Sequence, residues 1–188
     1  VLVLLAFRPI RLFFKGRRME NNIGVQSCCK LLQEYERIQP KIKGERLKFV
    51  NVGDRDVYNI TAPFIIEEKE VIAARVEKRD SEFSKVMFFF NKGDAWAPID
   101  DAPSFDIQDP FITRINDEII FGGVEVFPKE DAPDQLQWRT IFFKGTGIYD
   151  LELIASSPIG MKDIRLVELM DHRIGIFTRP QGKIGGRG

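Results

Sequence analysis

The sequence predicts an all-β fold of the β-propeller kind, preceded by one short helix. Three observations carry that prediction. Pro63-Phe64-Ile65-Ile66 opens a stretch that closes on Arg75-Val76-Glu77, and 47 residues later Pro110-Phe111-Ile112-Thr113 opens one that closes on Gly123-Val124-Glu125. A third, weaker copy runs from Ile164-Arg165-Leu166-Val167 to Ile174-Gly175-Ile176-Phe177-Thr178-Arg179. The 16 Phe fall mostly inside these β-like runs. Hydrophobic β-rich units recurring at about 50 residues are the mark of propeller blades, which gather their functional residues around one axis.

Ser27 to Ile38 reads as a helix, with Ser27 as N-cap and Leu31, Leu32, Tyr35 and Ile38 at helical spacing. Pro40 and Gly44 end it. Leu47 to Val52 alternates as a strand and Gly53-Asp54 turns it. Val57 to Ile60 leads into Ala62 to Ile66; Glu67 to Glu70 is a charged hairpin turn, and Val71 to Glu77 returns. Val86 to Phe90 is a buried strand. Phe111 to Ile115 and Glu118 to Gly122 form a hairpin around Asn116-Asp117, a favoured short-turn pair. Pro128 to Asp134 is a polar loop. Leu136 to Lys144 is a strand, Leu151 to Ile154 a short one, and the third hairpin turns at Asp171-His172.

About three blades are visible, whereas propellers close with about four to eight. The chain therefore reads as the N-terminal part of a larger closed ring, with residues 27–188 as a partial propeller domain and 1–26 as an extension outside it. Val1 to Phe7 is apolar and five basic residues, Arg8 to Arg18, follow. That order is the reverse of a secretory signal, and the run is too short to span a bilayer. Residues 1–18 read as upstream sequence before Met19, with a short amphipathic interfacial anchor as the alternative.

Lys plus Arg and Asp plus Glu are 28 each, so no basic field exists to hold nucleic acid or an anionic membrane. Cys28 and Cys29 are sequence neighbours, which implies no disulfide framework and a reducing, cytoplasmic setting. With a single His the chain lacks the ligand set of a His/Cys zinc site. No cofactor is implied.

Asp109 stands immediately before Pro110 at the start of a blade's inner strand. The proline is expected to hold it extended and aim its carboxyl at the axis. Read from the residues alone, Asp109 is either a general acid or a turn-forming Asp before Pro. Asn59 occupies the same neighbourhood one blade earlier. Arg75 and Glu77 alternate onto one face, and Glu125 closes the counterpart strand; the alternative for each is a solvated strand end. Arg165 and Arg179 belong to the third unit, where planar guanidinium groups suit phosphate or carboxylate. Trp96 and Trp138 offer ring faces to a sugar or to the core. His172 lies in a hairpin turn, and Gly185-Gly186-Arg187-Gly188 lacks the strand–helix context of a phosphate loop.

The runs Asp56 to Phe64, Ala74-Arg75-Val76-Glu77, Gln108-Asp109-Pro110-Phe111-Ile112 and Phe177 to Gly182 together resemble the DUF1861 family. That family is related to the β-mannoside phosphorylases of glycoside hydrolase family 130 and includes trypanosomatid mannosyltransferase/phosphorylases. The resemblance covers about residues 30–188. It implies a five-bladed propeller of the glycosidase/phosphorylase type, with Asp109 as general acid acting through a sugar hydroxyl while phosphate attacks the anomeric carbon with inversion. It implies phosphate or substrate contacts from Asn59, Arg75, Glu77, Glu125, Asp163, Arg165 and Arg179. Inorganic phosphate would then be a co-substrate, and a mannose-containing oligosaccharide or mannose 1-phosphate the partner. Phe111 stands where the related enzymes carry Arg after Asp-Pro, and Gln108 where they carry an acid; mannosyl transfer or hydrolysis is compatible with both. The competing readings are a non-catalytic propeller that binds glycans or proteins and an inactive truncated product. Convergence of Asn59, Arg75, Asp109, Glu125 and Arg179 on one polar site would favour the enzyme.

Overall fold

In the computed structural model, residues 27–38, 44, 46–81 and 83–180 are described. The readings for 1–26, for Pro40 and for the tail after Pro180 lie outside them. The chain divides into two compact units, Val1–Glu45 and Arg46–Gly188. In the first, α1 (Cys28–Ile38) is capped as expected: the Lys30 N–H donates to Ser27 Oγ at 3.2 Å. The apolar stripe is exposed rather than buried, at Leu31, Leu32, Tyr35 and Ile38 alike. No helix among the described residues is long and apolar enough to cross a membrane.

The second unit is all β. Its first sheet holds β1 (Asp56–Tyr58), β2 (Phe64–Ile66), β3 (Lys69–Glu77), β4 (Ser84–Asn91) and β5 (Trp96–Pro98). β1 pairs with the end of β3 and β2 with its beginning, so one edge of β3 is lined by a strand broken at 59–63. β4 and β5 continue on the other side. The second sheet is the meander β6 (Gln108–Ile115), β7 (Glu118–Pro128), β8 (Leu136–Gly145), β9 (Glu152–Ser156). The third is the pair β10 (Met161–Glu168) and β11 (Ile174–Pro180). The predicted strand at Leu47 to Val52 is instead a single parallel bridge, Phe49 to Trp96. Its alternation reflects Phe49 and Val52 packing on the outer face of the first sheet beside Phe89 and Trp96.

The hairpins form where turn chemistry permits. Glu67 and Glu68 both have positive φ, as do Asn116 and Asp117, the requirement of a type I′ turn whose twist suits two-residue hairpins. Strand alternation then sends side chains to two faces. On β3, Val71 and Ala73 meet Ile119 and Phe121 of β7, with Phe88 and Ile107 in the same core. On β7, Ile120 turns the other way and joins Phe111, Phe142 and Ile164 of β10. The three sheets therefore stack face to face in sequence order, each interface sealed by its own apolar layer. Ile72, Phe88, Phe89 and Phe121 are at most 1% exposed, and each such burial stabilises by about 1.5–3 kcal/mol. This is a propeller-like arrangement of successive meanders.

Candidate functional site

One backbone irregularity recurs in every sheet. Tyr58 pairs with Arg75, and the Thr61 N–H donates to Ala73 O at 2.9 Å, so three steps on one strand match two on the other. In the second sheet Gln108 pairs with Val124 and Phe111 with Gly122, and in the third Lys162 pairs with Arg179 and Arg165 with Phe177. The residue that opens each bulge is left-handed: Asn59 at φ 48°, Asp109 at 49°, Asp163 at 57°. Asn and Asp are the non-glycine residues that tolerate this region, and bulges re-aim the side chain they carry.

Asp109 is accordingly not extended, as the proline after it predicts. The preference that proline imposes on its neighbour is a bias, and here the bulge overrides it. Two glycines make room. A Cβ on Gly123 would stand 2.5 Å from Gln108 O, and one on Gly122 2.7 Å from the Phe111 ring. Only a residue without Cβ lets β7 approach the bulge this closely.

The bulges bring seven of the eight predicted residues into one connected cluster around Asp109. Asn59 Nδ2 donates to Asp109 Oδ1 at 2.5 Å, and Arg75 Nη1 donates to the same oxygen at 3.3 Å. Oδ2 lies outside both bonds. Arg75 is also held by Glu77, with Nε and Nη2 at 2.9 and 2.7 Å from Oε2. Glu77 accepts the Tyr58 hydroxyl as well, and the Arg75 guanidinium lies 5.1 Å from the Tyr58 ring centre. On the other side, Arg165 Nη2 donates to the Asp109 carbonyl at 3.4 Å while its guanidinium lies 4.7 Å from the Phe111 ring centre. Asp163 stands between two arginines, 2.5 Å from Arg179 and 4.0 Å from Arg165. Arg179 thus joins through Asp163, which adds it to the cluster as a seventh member. Arg75 and Arg179 hold equivalent register positions in the first and third sheets.

Glu125 stays apart. It pairs with Arg139 at 2.5 Å, whose guanidinium covers Phe127. Counted from the two hairpin turns, Glu125 matches Val76 rather than Glu77, so alternation sends it to the face of Ile119 and Phe121. Sequence reasoning overlooked Tyr58 and the packing role of Phe111. Their only signal was position: each flanks a bulge residue.

The charges are unevenly neutralised. The Arg75–Glu77 pair is nine-tenths shielded, with side chains 10% and 11% exposed, and removing one partner of such a pair costs about 3–5 kcal/mol. Arg165 is less well matched. Burial pushes its pKa down, Asp163 and Asp109 pull it up, and the neighbouring Arg179 pushes it down again. Among the described residues its hydrogen bonds go to carbonyls, those of Ile164 and Asp109. A guanidinium in that state gains most from an incoming anion. No three His, Cys, Asp or Glu side chains converge as metal ligands among the described residues. The arrangement offers a carboxyl with one free-facing oxygen beside three cations, which suits proton transfer next to an anionic group.

Residues 33–188 match the family model DUF1861, described as a protein of unknown function. No curated protein matches the chain. Among solved structures, a GDP-Man-dependent mannosyltransferase from Leishmania mexicana matches at 34% identity and TM-score 0.72, over 81% of this chain and 49% of that one. A mannose phosphorylase from the same organism, in complex with phosphate ion, matches at 32% identity and TM-score 0.71, over 82% and 49%. A hypothetical protein from Leishmania major matches at 33% identity and TM-score 0.71, over 81% and 50%. The chain spans about half the length of these solved structures.

Proposed function

Because the chain belongs to the DUF1861 family, we propose that it carries the acid–base and anion-binding part of a mannosyl-handling enzyme. The reaction is mannosyl transfer to or from phosphate or a sugar acceptor. One observation carries this reading: a single residue, Asp109 of the second sheet, is joined by contacts under 3.5 Å to both neighbouring sheets, its carboxyl to Asn59 and Arg75 of the first and its backbone carbonyl to Arg165 of the third. The likeness to a mannosyltransferase and to a mannose phosphorylase, each above 30% identity, supports the substrate class.

Asp109 acts as general acid. Asn59 and Arg75 anchor Oδ1, so the proton resides on Oδ2 and is delivered from there, directly or through a sugar hydroxyl, to the glycosidic oxygen. The bond from the anomeric carbon to that oxygen breaks as an oxygen of phosphate or of the acceptor attacks the carbon. Arg165, the least neutralised cation, takes the anion, with Arg179 beside it. Asp163 holds those two in place, and Glu77 with Tyr58 holds Arg75. The ring this chain helps to form is the five-bladed propeller implied by the resemblance to the family 130 phosphorylases.

Incubation with mannobiose and inorganic phosphate, and separately with GDP-mannose and a mannose acceptor, tests the reading. It expects mannose 1-phosphate or an extended mannoside. Absence of phosphorolysis, transfer and hydrolysis alike would leave a non-catalytic binding protein.

A further inference from the structure

The two sheet interfaces carry the same bulge but are lined differently. At the first, β3 presents Arg75 and Glu77 and β4 presents Ser84, and the interface is closed by the ion pair on Asp109. At the second, the equivalent register positions hold Val124, Val126 and Trp138. Among the described residues no ion pair fills that space. A cavity of about 210 Å³ opens there, lined by Gln108, Val124, Val126, Leu136, Trp138 and Lys162.

Two features of its wall point to a ligand. The Trp138 indole N–H is buried and finds no acceptor among the described residues, a costly state that protein interiors rarely leave unanswered. The Lys162 ammonium stands 6.0 Å from the Trp138 ring centre, a distant and weak contact. An indole with an unanswered, buried donor, an ammonium and two valines make a surface with an apolar face and few polar groups. That is the chemistry of a pyranose ring, whose C–H face packs on an aromatic ring while its hydroxyls take hydrogen bonds. Gln108 and Lys162 also immediately precede Asp109 and Asp163, so the cavity abuts the ionic cluster along the chain itself.

We propose that this cavity between β6, β7, β8 and β10 is a sugar-binding subsite that seats a pyranose ring next to the one processed at Asp109. The choice of a mannoside as its ligand rests on the reading above; the cavity and its lining do not. Trp138 supplies the ring face and the indole N–H, and Lys162 swings from that face to a hydroxyl.

The chain has two Trp, and Trp96 is buried in the core of the first sheet, so a ligand-induced change in intrinsic emission reads Trp138. Titration of the full chain with mannobiose is expected to change the emission. The change persists in W96F and disappears in W138F. In K162A the affinity falls about tenfold, the scale of one lost hydrogen bond to a charged group. An unchanged titration in W138F or in K162A, or no emission change in the wild-type chain, overturns the subsite. Should W138F fail to fold, K162A decides alone. Binding without turnover in the wild-type chain would uphold the subsite and remove the catalytic reading, so the two fail separately.

Discussion

Asn59 and Asp109, 50 residues apart, are joined by a 2.5 Å hydrogen bond between side chains. Each opens the same bulge in successive sheets with a left-handed backbone, at φ 48° and 49°. The bond therefore links a repeated backbone feature to a single chemical point. Conformation and donor are separable by mutation. N59G keeps a residue at ease with positive φ and removes the amide; N59A removes the amide and adds strain. Mannosyl transfer is expected to fall about 10–100-fold in N59G, the range for a lost hydrogen bond to a charged group, with the melting temperature nearly unchanged. N59A should lose the same activity and melt lower. Equal activity in N59G and the parent would show that the amide does not orient Asp109.

Asp163 gives a prediction whose sign decides. Removing a negative charge from a cluster of three arginines should tighten anion binding if Asp163 only offsets charge. If it positions Arg165 and Arg179, as its 4.0 and 2.5 Å contacts imply, D163N should weaken it. The expected result is weaker binding of inorganic phosphate by D163N in calorimetry, with partial rescue in D163E.

Gly123 tests the bulge. A methyl group there would meet Gln108 O at 2.5 Å, backbone that no rotamer change can move. G123A should destabilise by about 1–3 kcal/mol, the cost of overpacking, and should displace Asp109 from Asn59. A chemical denaturation curve superimposable on the parent's would mean that the close approach is not needed.

Acid stability is expected to depend on Asp150. Hydrogen bonds from the Thr146 hydroxyl and then from the Thr146 and Gly147 N–H groups lower its pKa from 3.8 to about 2. A carboxyl with a depressed folded pKa contributes stability above its unfolded pKa and loses it as pH falls through the folded one. The parent should therefore lose stability between pH 3.8 and about 2 through this group. D150N should be less stable at neutral pH and show a shallower decline in that window. Parallel pH profiles would contradict it.

Much of this was legible before any coordinates. The hairpins showed because Asn116-Asp117 and the alternating runs beside it carry both turn chemistry and strand period. Asp109, Arg75 and Arg165 stood out because repeat position and family resemblance marked the same residues. Register was not legible. Val76-Glu77 and Val124-Glu125 read alike, so Glu125 looked like the partner of Glu77, although counting from the hairpin turns sets it against Val76. The left-handed Asp109 was hidden for a related reason: local preference before proline points to extended backbone, and only the pairing of β6 with β7 reverses it. The opening of a cavity at Val124 and Val126 was equally invisible, because two valines on a strand read as core.

The most direct test of the account is the ratio of mannosyl-transfer rates between the parent protein and D109N, measured with matched melting curves. Loss of a general acid predicts a fall of about 10²–10⁴-fold with phosphate binding retained, since Arg165 and Arg179 are untouched. A D109N protein that transfers mannose at a rate close to the parent's would contradict the central claim and leave Asp109 as a bulge residue with no chemical part.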